Sequence, residues 1–164
     1  MLIDEKDQAV VSGFRSWFRE RLAGDERFVG PAQHDAADGS TLMDRWEMGE
    51  HVWLELAVRP LIPQVRVGVV TDDRWKSEEM EQLIEDSGDT MSEYVELAME
   101  EVGLSWPDPP VEHFRDQGKY FYFATAVEAD PISLLGDEDF RRRARQAFEG
   151  YYKAFEKFAR SGGG

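Results

Sequence analysis

Apolar and polar residues alternate along two consecutive segments near the middle of the chain. The apolar positions of this pattern are Val52, Leu54, Leu56, Val58, Val65, Val67 and Val69. A period of two is typical of a β-strand with one face towards a core, and it is most common in antiparallel pairs. Pro60 and Pro63 lie between the segments and have no N–H to donate, so they predict a turn. The pattern therefore predicts an antiparallel hairpin.

Two segments near the ends of the chain have the 3.6-residue period of an amphipathic helix. The first covers residues 4–22, and Gly24 follows it where a helix end favours a positive φ. The second is predicted over residues 138–160, with Asp137 as its N-cap. Its expected inward stripe consists of Phe140, Ala144, Ala147, Phe148, Tyr151, Phe155 and Phe158. Both helices should pack an apolar face on the sheet.

A third helical period runs along residues 77–102, where Ser77 is the predicted N-cap. Gly88 interrupts the pattern, and Thr90 and Glu93 have the spacing of a capping box. One kinked helix and two consecutive helices both fit. The segment holds ten acidic residues and no basic one, so its stability must come from packing against the rest of the chain.

The remaining segments complete the predicted sheet. Residues 24–45 are rich in Gly, Asp, Pro and Ser, which predicts a loop with a short edge strand near residues 27–30. Residues 46–50 are expected to lengthen the first strand of the hairpin. Residues 114–129 predict another strand pair, with a tight turn at Gln117 and Gly118.

These elements predict an α+β fold in the order α-β-β(-β)-α-β-β-α. We expect an antiparallel sheet of about four to five strands with helices packed on it. A chain of 164 residues fits a single domain, predicted over residues 1–160. Residues 161–164, "SGGG", are expected to be a disordered tail.

The composition of the chain bears on its cellular location. There is no run of about 18 apolar residues, so no membrane-spanning helix and no membrane partner is expected. The N-terminal "MLIDEKDQAV" has acidic residues where a signal peptide needs a basic region followed by an apolar one. The chain has no cysteine, which excludes disulfides and thiolate metal sites. We expect a cytoplasmic protein without a cofactor.

Charge excludes one class of partner. The chain has 34 acidic and 19 basic residues, a net charge of −15. Residues 61–113 alone hold 14 acidic and three basic residues, a net charge of −11. Such a surface repels phosphate backbones, so nucleic-acid binding is not expected. Two explanations of the acidity stay open: solubility in a salty cytoplasm, or an acidic face for a specific partner.

No motif for catalysis or metal binding is present. The three histidines, His34, His51 and His113, lie outside the HExxH spacing and outside any G-x-S-x-G context. A hydrolase would need a histidine and carboxylates to converge in one cleft. We therefore assign no catalytic, cofactor-binding or metal-binding residue and expect a protein that is not an enzyme.

The outer face of the predicted sheet is the strongest functional signal. An exposed combination of Trp and Arg is typical of protein contact sites. The strand at residues 120–127 is apolar on both sides, which indicates a central strand or one that meets a partner. The predicted partner-binding residues are Trp53, Arg59, Arg66, Val70, Tyr120 and Tyr122.

Three segments also carry a family resemblance. They are "QVRVGVV" at residues 64–70, "KYFYFATAV" at residues 119–127 and the amphipathic "FRRRARQAFEGYYKAFEKFA" at residues 140–159. With these segments, the element order and the acidic composition, the chain resembles the type III secretion chaperone-like fold, which includes YbjN-type bacterial domains. The resemblance implies an α+β homodimer that binds extended segments of partner proteins without ATP.

The expected function is therefore a chaperone-like, protein-binding module that forms a homodimer. Partner side chains would be buried on apolar sheet or helix surface, with strand addition at an open edge as an additional contact. The alternative is a small-molecule-binding domain with a pocket between the sheet and the C-terminal helix. A cavity lined by Tyr and Phe would favour this alternative, and a filled core would argue against it.

Overall fold

The computed structural model describes residues 3–160, which form four α-helices, six β-strands and two short 3-10 helices. The helices are α1 (Glu5–Leu22), α2 (Arg74–Ser87), α3 (Met91–Glu101) and α4 (Glu138–Ala154). The strands are β1 (Val29–Gln33), β2 (Leu42–Gly49), β3 (Val52–Arg59), β4 (Gln64–Thr71), β5 (Glu112–Asp116) and β6 (Tyr120–Glu128). The predicted tail at residues 161–164 lies outside the described residues. Across residues 3–160, no helix has the length and apolar character needed to cross a membrane.

The six strands form one antiparallel sheet in the order β1-β2-β3-β4-β6-β5. The predicted hairpin is confirmed, because β3 and β4 pair from Val52 opposite Thr71 to Arg59 opposite Gln64. β4 also pairs with β6, so α2, α3 and β5 lie in the connection between two neighbouring strands. The α+β class and the antiparallel sheet are therefore confirmed.

The sheet has six strands rather than four to five, because residues 29–49 contribute two strands of their own. β1 is an edge strand that contains Pro31, and an edge tolerates proline because one side of its ladder is unpaired. Residues 46–50 do not lengthen β3. They complete β2 and a tight turn in which His51 has a φ of 59°. The edge strand expected near residues 27–30 is present slightly further along as β1, whereas turn-forming residues before β2 hide that strand in the sequence.

The starts of α1 and α2 are set by aspartate caps. The Asp4 side chain accepts a hydrogen bond from the Asp7 N–H at 2.8 Å, as the predicted start of the first helix requires. The predicted cap of the second helix is wrong. Asp73, not Ser77, accepts the N–H of Trp75 at 2.9 Å, and Ser77 is buried inside α2. Asp73 takes this role because it lies directly before the first residue of α2, Arg74.

Residues 77–102 belong to two helices rather than one kinked helix. Gly88 ends α2 with a φ of 80°, which glycine adopts without steric cost. Thr90 and Glu93 then form the predicted capping box, with both hydrogen bonds at 3.1 Å. The capping box restarts the helix in a new direction, so α2 and α3 can each place an apolar face on the core.

The last helix begins at its predicted cap but is shorter than expected. The Asp137 side chain accepts the N–H of Phe140 at 2.9 Å. The helix ends at Ala154 rather than at residue 160, because the chain tightens into a 3-10 turn at Glu156–Phe158. That turn lies against β2, where a Cβ on Gly49 would be 2.1 Å from the Phe158 carbonyl oxygen.

The helices bury their apolar side chains on one face of the sheet. The core residues of the sheet include Trp46, Leu54, Leu56, Val67, Val69 and Phe123, and those of the helices include Phe14, Phe18, Met80, Val95, Phe148 and Phe155. The opposite face of the sheet carries a second set of side chains.

Candidate partner-binding site

A second set of side chains lines the face of the sheet opposite the helices, which we call the open face. They alternate along the strands with the core residues and include Met43, Arg45, Trp53, Glu55, Ala57, Arg59, Arg66, Gly68, Val70, Phe114, Tyr120, Tyr122 and Ala124, with the acidic Glu47, Glu112, Asp116 and Glu128 nearer the strand ends. Several of them are buried, but none belongs to the core that the helices cover. The sheet thus has one face for the core and one face that carries the predicted partner-binding residues.

All six predicted partner-binding residues lie on the open face, but they differ in exposure. The partly exposed ones are Trp53, Arg59, Arg66 and Tyr120. Val70 and Tyr122 are completely buried within the chain, and therefore cannot contact a partner directly. Their role on this face is to support the residues above them. The burial of Tyr122 has a polar cause, because its hydroxyl is hydrogen-bonded within the sheet.

A buried triad of polar groups holds the centre of the open face. Arg45 Nε donates to Glu55 Oε2 at 2.8 Å, and Arg45 Nη2 donates to the Tyr122 hydroxyl oxygen at 2.7 Å. The Tyr122 hydroxyl in turn donates to Glu55 Oε2 at 2.9 Å. Arg45 is 4% exposed and Glu55 is 2% exposed. A buried ion pair of this kind is weak evidence for stability, although removing one of its partners is costly.

A glycine allows the triad to form across four strands. Gly68 lies opposite Glu55 on one side and Ala124 on the other, so β4 places no side chain between β3 and β6 at this level. A Cβ at Gly68 would be 2.3 Å from the Phe123 carbonyl oxygen. This close approach requires glycine and lets Tyr122 reach Glu55 over β4.

Arg66 lies beside the triad, and its hydrogen-bond donors lack acceptors among the described residues. Its Nη2 is 3.9 Å from Glu55 Oε1, too long for a hydrogen bond. Its Nε is buried and has no hydrogen-bond partner within residues 3–160. The guanidinium carbon lies 5.1 Å from the ring centre of Phe114 and 5.5 Å from that of Tyr122, and these two rings are stacked at 4.7 Å. The aromatic stack fixes the position of Arg66 without supplying acceptors.

A groove of about 250 Å³ opens above Arg66. One wall comes from the connection between β1 and β2, and the other from the turn between β5 and β6. β1 and β5 are the two opposite edges of the sheet. The sheet is therefore strongly curved around its open face. The groove is lined by Ala36, Thr41, Met43, Arg59, Arg66, Phe114, Asp116 and Gln117.

Positive charge predominates around this groove. Arg59 and Arg66 line the groove with one carboxylate, Asp116, in a chain whose net charge is −15, and the neighbouring Arg45 is paired with Glu55. Burial raises the pKa of the Tyr122 hydroxyl, and the negative charge of Glu55 adds to the effect. The tyrosine therefore stays neutral and can donate its hydrogen bond throughout the physiological pH range.

The histidines remain apart from one another and from a common cleft. His51 Nδ1 lies 2.9 Å from Asp72, and His113 Nε2 lies 2.9 Å from Glu81 on α2. Partial burial lowers the pKa of His34, and the positive charge of Arg45 acts in the same direction. In the part of the chain that the structure describes, no three His, Asp or Glu side chains are grouped to hold a metal ion.

The space between the sheet and α4 is occupied by side chains. Tyr151 is fully buried, and its hydroxyl lies 2.6 Å from the Thr125 hydroxyl. Phe148 and Phe155 are also fully buried in this layer. Burial raises the pKa of Tyr151. The aromatic residues that would line the alternative small-molecule pocket thus serve as core.

Sequence reasoning missed three residues of the site, Arg45, Glu55 and Phe114. Glu55 stood out in the sequence as the single charge within the strand pattern of residues 52–58. Arg45 could be found only by recognising β2 as a separate strand. Phe114 was placed in the correct strand, but its stacking on Tyr122 depends on the register between β5 and β6.

The fold and the site together define a class of α+β domain with a curved antiparallel sheet, helices on one face and a cationic, aromatic groove on the other. Comparisons with protein-family models, with curated proteins and with solved structures found no match to this chain.

Proposed function

We propose that the protein is a non-enzymatic, chaperone-like module whose open face holds an extended segment of another protein. The observation that carries the proposal is the groove above Arg66, with the partly exposed Trp53, Arg59 and Tyr120 on the same face. Trp, Tyr and Arg supply much of the binding energy in protein interfaces. The resemblance to type III secretion chaperone-like and YbjN-type domains agrees with this function.

The mechanism is burial of partner side chains, without ATP or another cofactor. Backbone pairing adds to it at a sheet edge. The edges are β1 and β5, and β1 contains Pro31, which lacks a hydrogen-bond donor. β5 has no proline within Glu112–Asp116, so we propose it as the edge that accepts a partner strand. β5 also carries Phe114, which places the added strand next to the groove.

The proposal includes a homodimer and a cytoplasmic location. The acidic surface argues against nucleic acid as the partner, since binding to phosphates depends on basic side chains. The absence of cysteine agrees with a reducing compartment. Size-exclusion chromatography with light scattering tests the dimer, which a mass equal to one chain at micromolar concentration would contradict.

The Trp53→Asp variant tests the open face. The matched control is Trp75→Asp, because Trp75 is 73% exposed at the start of α2, away from the groove. Linear peptides selected from a phage-displayed library against the wild-type protein serve as probes. We expect Trp53→Asp to weaken their binding by about tenfold or more and Trp75→Asp to leave it unchanged. Equal binding to all three folded proteins would reject the open face as the site.

A further inference from the structure

We propose that the groove binds a carboxylate of the partner segment, an Asp or Glu side chain, through the guanidinium of Arg66. This inference rests on the proposed function, because it names the chemistry of the segment that the open face holds. It makes Arg66 the residue that selects among partner segments, while Trp53 supplies apolar contact.

The first support is the unmet hydrogen-bonding capacity of Arg66. The side chain is only 16% exposed, and its Nε is buried without a partner in residues 3–160. A buried polar group without a partner costs free energy, and such a group in a native structure calls for a water, an ion or a ligand. Arg66 borders the groove, so an acceptor that enters the groove lies next to its side chain.

The second support is that, among residues 3–160, no carboxylate lies within hydrogen-bond distance of Arg66. Glu55 uses Oε2 for both Arg45 and Tyr122, and its Oε1 stays 3.9 Å from Arg66. Arg59 directs one donor to Gln64 Oε1 at 3.1 Å, which leaves its charge without a paired acid. One negative charge in the groove would therefore pair with arginines that have no carboxylate within hydrogen-bond distance.

The third support distinguishes a carboxylate from a phosphate. Asp116 lies on the groove wall, and the whole chain has a net charge of −15, so a doubly charged anion meets more repulsion than a singly charged one. The guanidinium carbon also lies beside the stacked rings of Phe114 and Tyr122, 5.1 Å and 5.5 Å from their centres. The planar guanidinium can bond both oxygens of a carboxylate.

The test is a double-mutant cycle between protein and peptide. The phage-selected peptides are synthesised, and each Asp or Glu is replaced singly by Asn or Gln. For wild-type protein, we expect one such replacement to weaken binding by about tenfold or more, the size of a charge-assisted hydrogen bond. For Arg66→Met, whose unbranched apolar side chain keeps the contact with Phe114, the same replacement should change binding less than about threefold.

Arg74→Gln is the matched control, because it removes one positive charge from an exposed helix site, 78% exposed, and should respond like wild type. Arg66→Lys keeps the charge but not the fork, and we expect it to recover only part of the affinity. Circular dichroism and unfolding curves show whether each variant is folded before its binding is interpreted.

The outcomes separate this inference from the proposed function. Peptides that require Trp53 but bind equally well after every acid-to-amide replacement would overturn the carboxylate and keep the proposed function. If no peptide requires Trp53, the proposed function fails. In that case sodium acetate is titrated into nitrogen-15-labelled protein, with sodium chloride as the ionic-strength control. A saturable shift of the Arg66 Nε–H signal with acetate alone would assign a free carboxylate as the ligand. Without such a shift, both proposals are rejected.

Discussion

Asp44 of β2 is fully buried and accepts hydrogen bonds from Arg15 of α1, with Arg15 Nε 3.0 Å from Asp44 Oδ2. Arg19, one turn further along α1, donates to Asp44 Oδ1 at 2.7 Å. Arg15 also bonds both oxygens of Asp35, and Asp35 accepts the backbone N–H of Met43 at 2.9 Å. These bonds join α1, β2 and the wall of the groove into one unit, so the site depends on a network on the opposite face of the sheet.

Replacing Asp44 by Asn should strongly destabilise the fold. The change removes the negative charge and one of the two acceptor oxygens, so Arg15 and Arg19 are left to share a single neutral acceptor at this position. Removing one partner of a buried pair costs about 3–5 kcal/mol, and we expect a loss of about 3 kcal/mol in the free energy of unfolding by urea. Asp139→Asn is the control, because the pair of Asp139 with Arg142 is exposed, and it should cost less than about 1 kcal/mol. Equal losses would contradict a structural role for the network.

Local patterns allowed much of the fold to be predicted. The β3–β4 hairpin follows from alternation over a few residues, and the Thr90–Glu93 capping box follows from a spacing of three. The turn at Gln117 and Gly118 is correct for the same reason, since both residues adopt a positive φ that the turn requires. Each of these features depends on residues that are neighbours in the chain.

The buried triad could not be predicted, because it joins residues that are far apart in sequence. Arg45 and Tyr122 are 77 positions apart, and they meet only after four strands have paired in the correct order. Alternation predicts that Glu55 faces outward, but it does not reveal that the curvature of the sheet buries it. The outward facing of Trp53, Arg59, Arg66 and Tyr120 could be predicted, because facing depends on alternation alone, whereas exposure depends on curvature.

The two most deeply buried tyrosine hydroxyls predict that stability falls in alkaline solution. Burial raises the pKa of Tyr122 and of Tyr151 above the ordinary value of about 10. Below that value both states keep the proton and stability is complete. At higher pH the unfolded chain ionises first, so each tyrosine lowers the free energy of unfolding by about 1.4 kcal/mol per pH unit until the folded pKa is reached.

Tyr151→Phe isolates one of these contributions. Urea unfolding between pH 9 and pH 11.5 should give a shallower loss of stability for this variant than for wild type, and absorbance of tyrosinate should rise together with unfolding in wild type. Parallel pH profiles for the two proteins would mean that the Tyr151 hydroxyl ionises without unfolding, contrary to its burial beside Thr125.

Gly68→Ala should destabilise the sheet where β4 and β6 approach closely. The new methyl group would lie 2.3 Å from the Phe123 carbonyl oxygen, so β4 and β6 must separate. Overpacking of this kind costs about 1–3 kcal/mol, which urea unfolding measures. Gly136→Ala is the control, because a Cβ there meets no atom within 4 Å. If Gly68→Ala is as stable as Gly136→Ala, the close approach of the two strands is not required for the fold.

Replacing Arg66 and replacing Glu55 should affect stability differently, although the two side chains are neighbours on the open face. Arg66→Met removes a buried donor that has no acceptor and keeps contact with the rings of Phe114 and Tyr122. We expect its free energy of unfolding to equal that of wild type or to exceed it by about 1 kcal/mol. Glu55→Gln instead leaves the buried Arg45 without a charged acceptor and should cost about 3–5 kcal/mol.

The difference between the two changes in the free energy of unfolding shows whether Arg66 stabilises the fold or serves to bind a ligand. Urea unfolding of the two variants, measured in the same buffer without peptide, gives both values directly. A residue that weakens binding when replaced but does not weaken the fold is retained for recognition, at a small cost in stability. If Arg66→Met loses as much stability as Glu55→Gln, the 3.9 Å pair with Glu55 is structural, and Arg66 is not available to select an acidic partner segment.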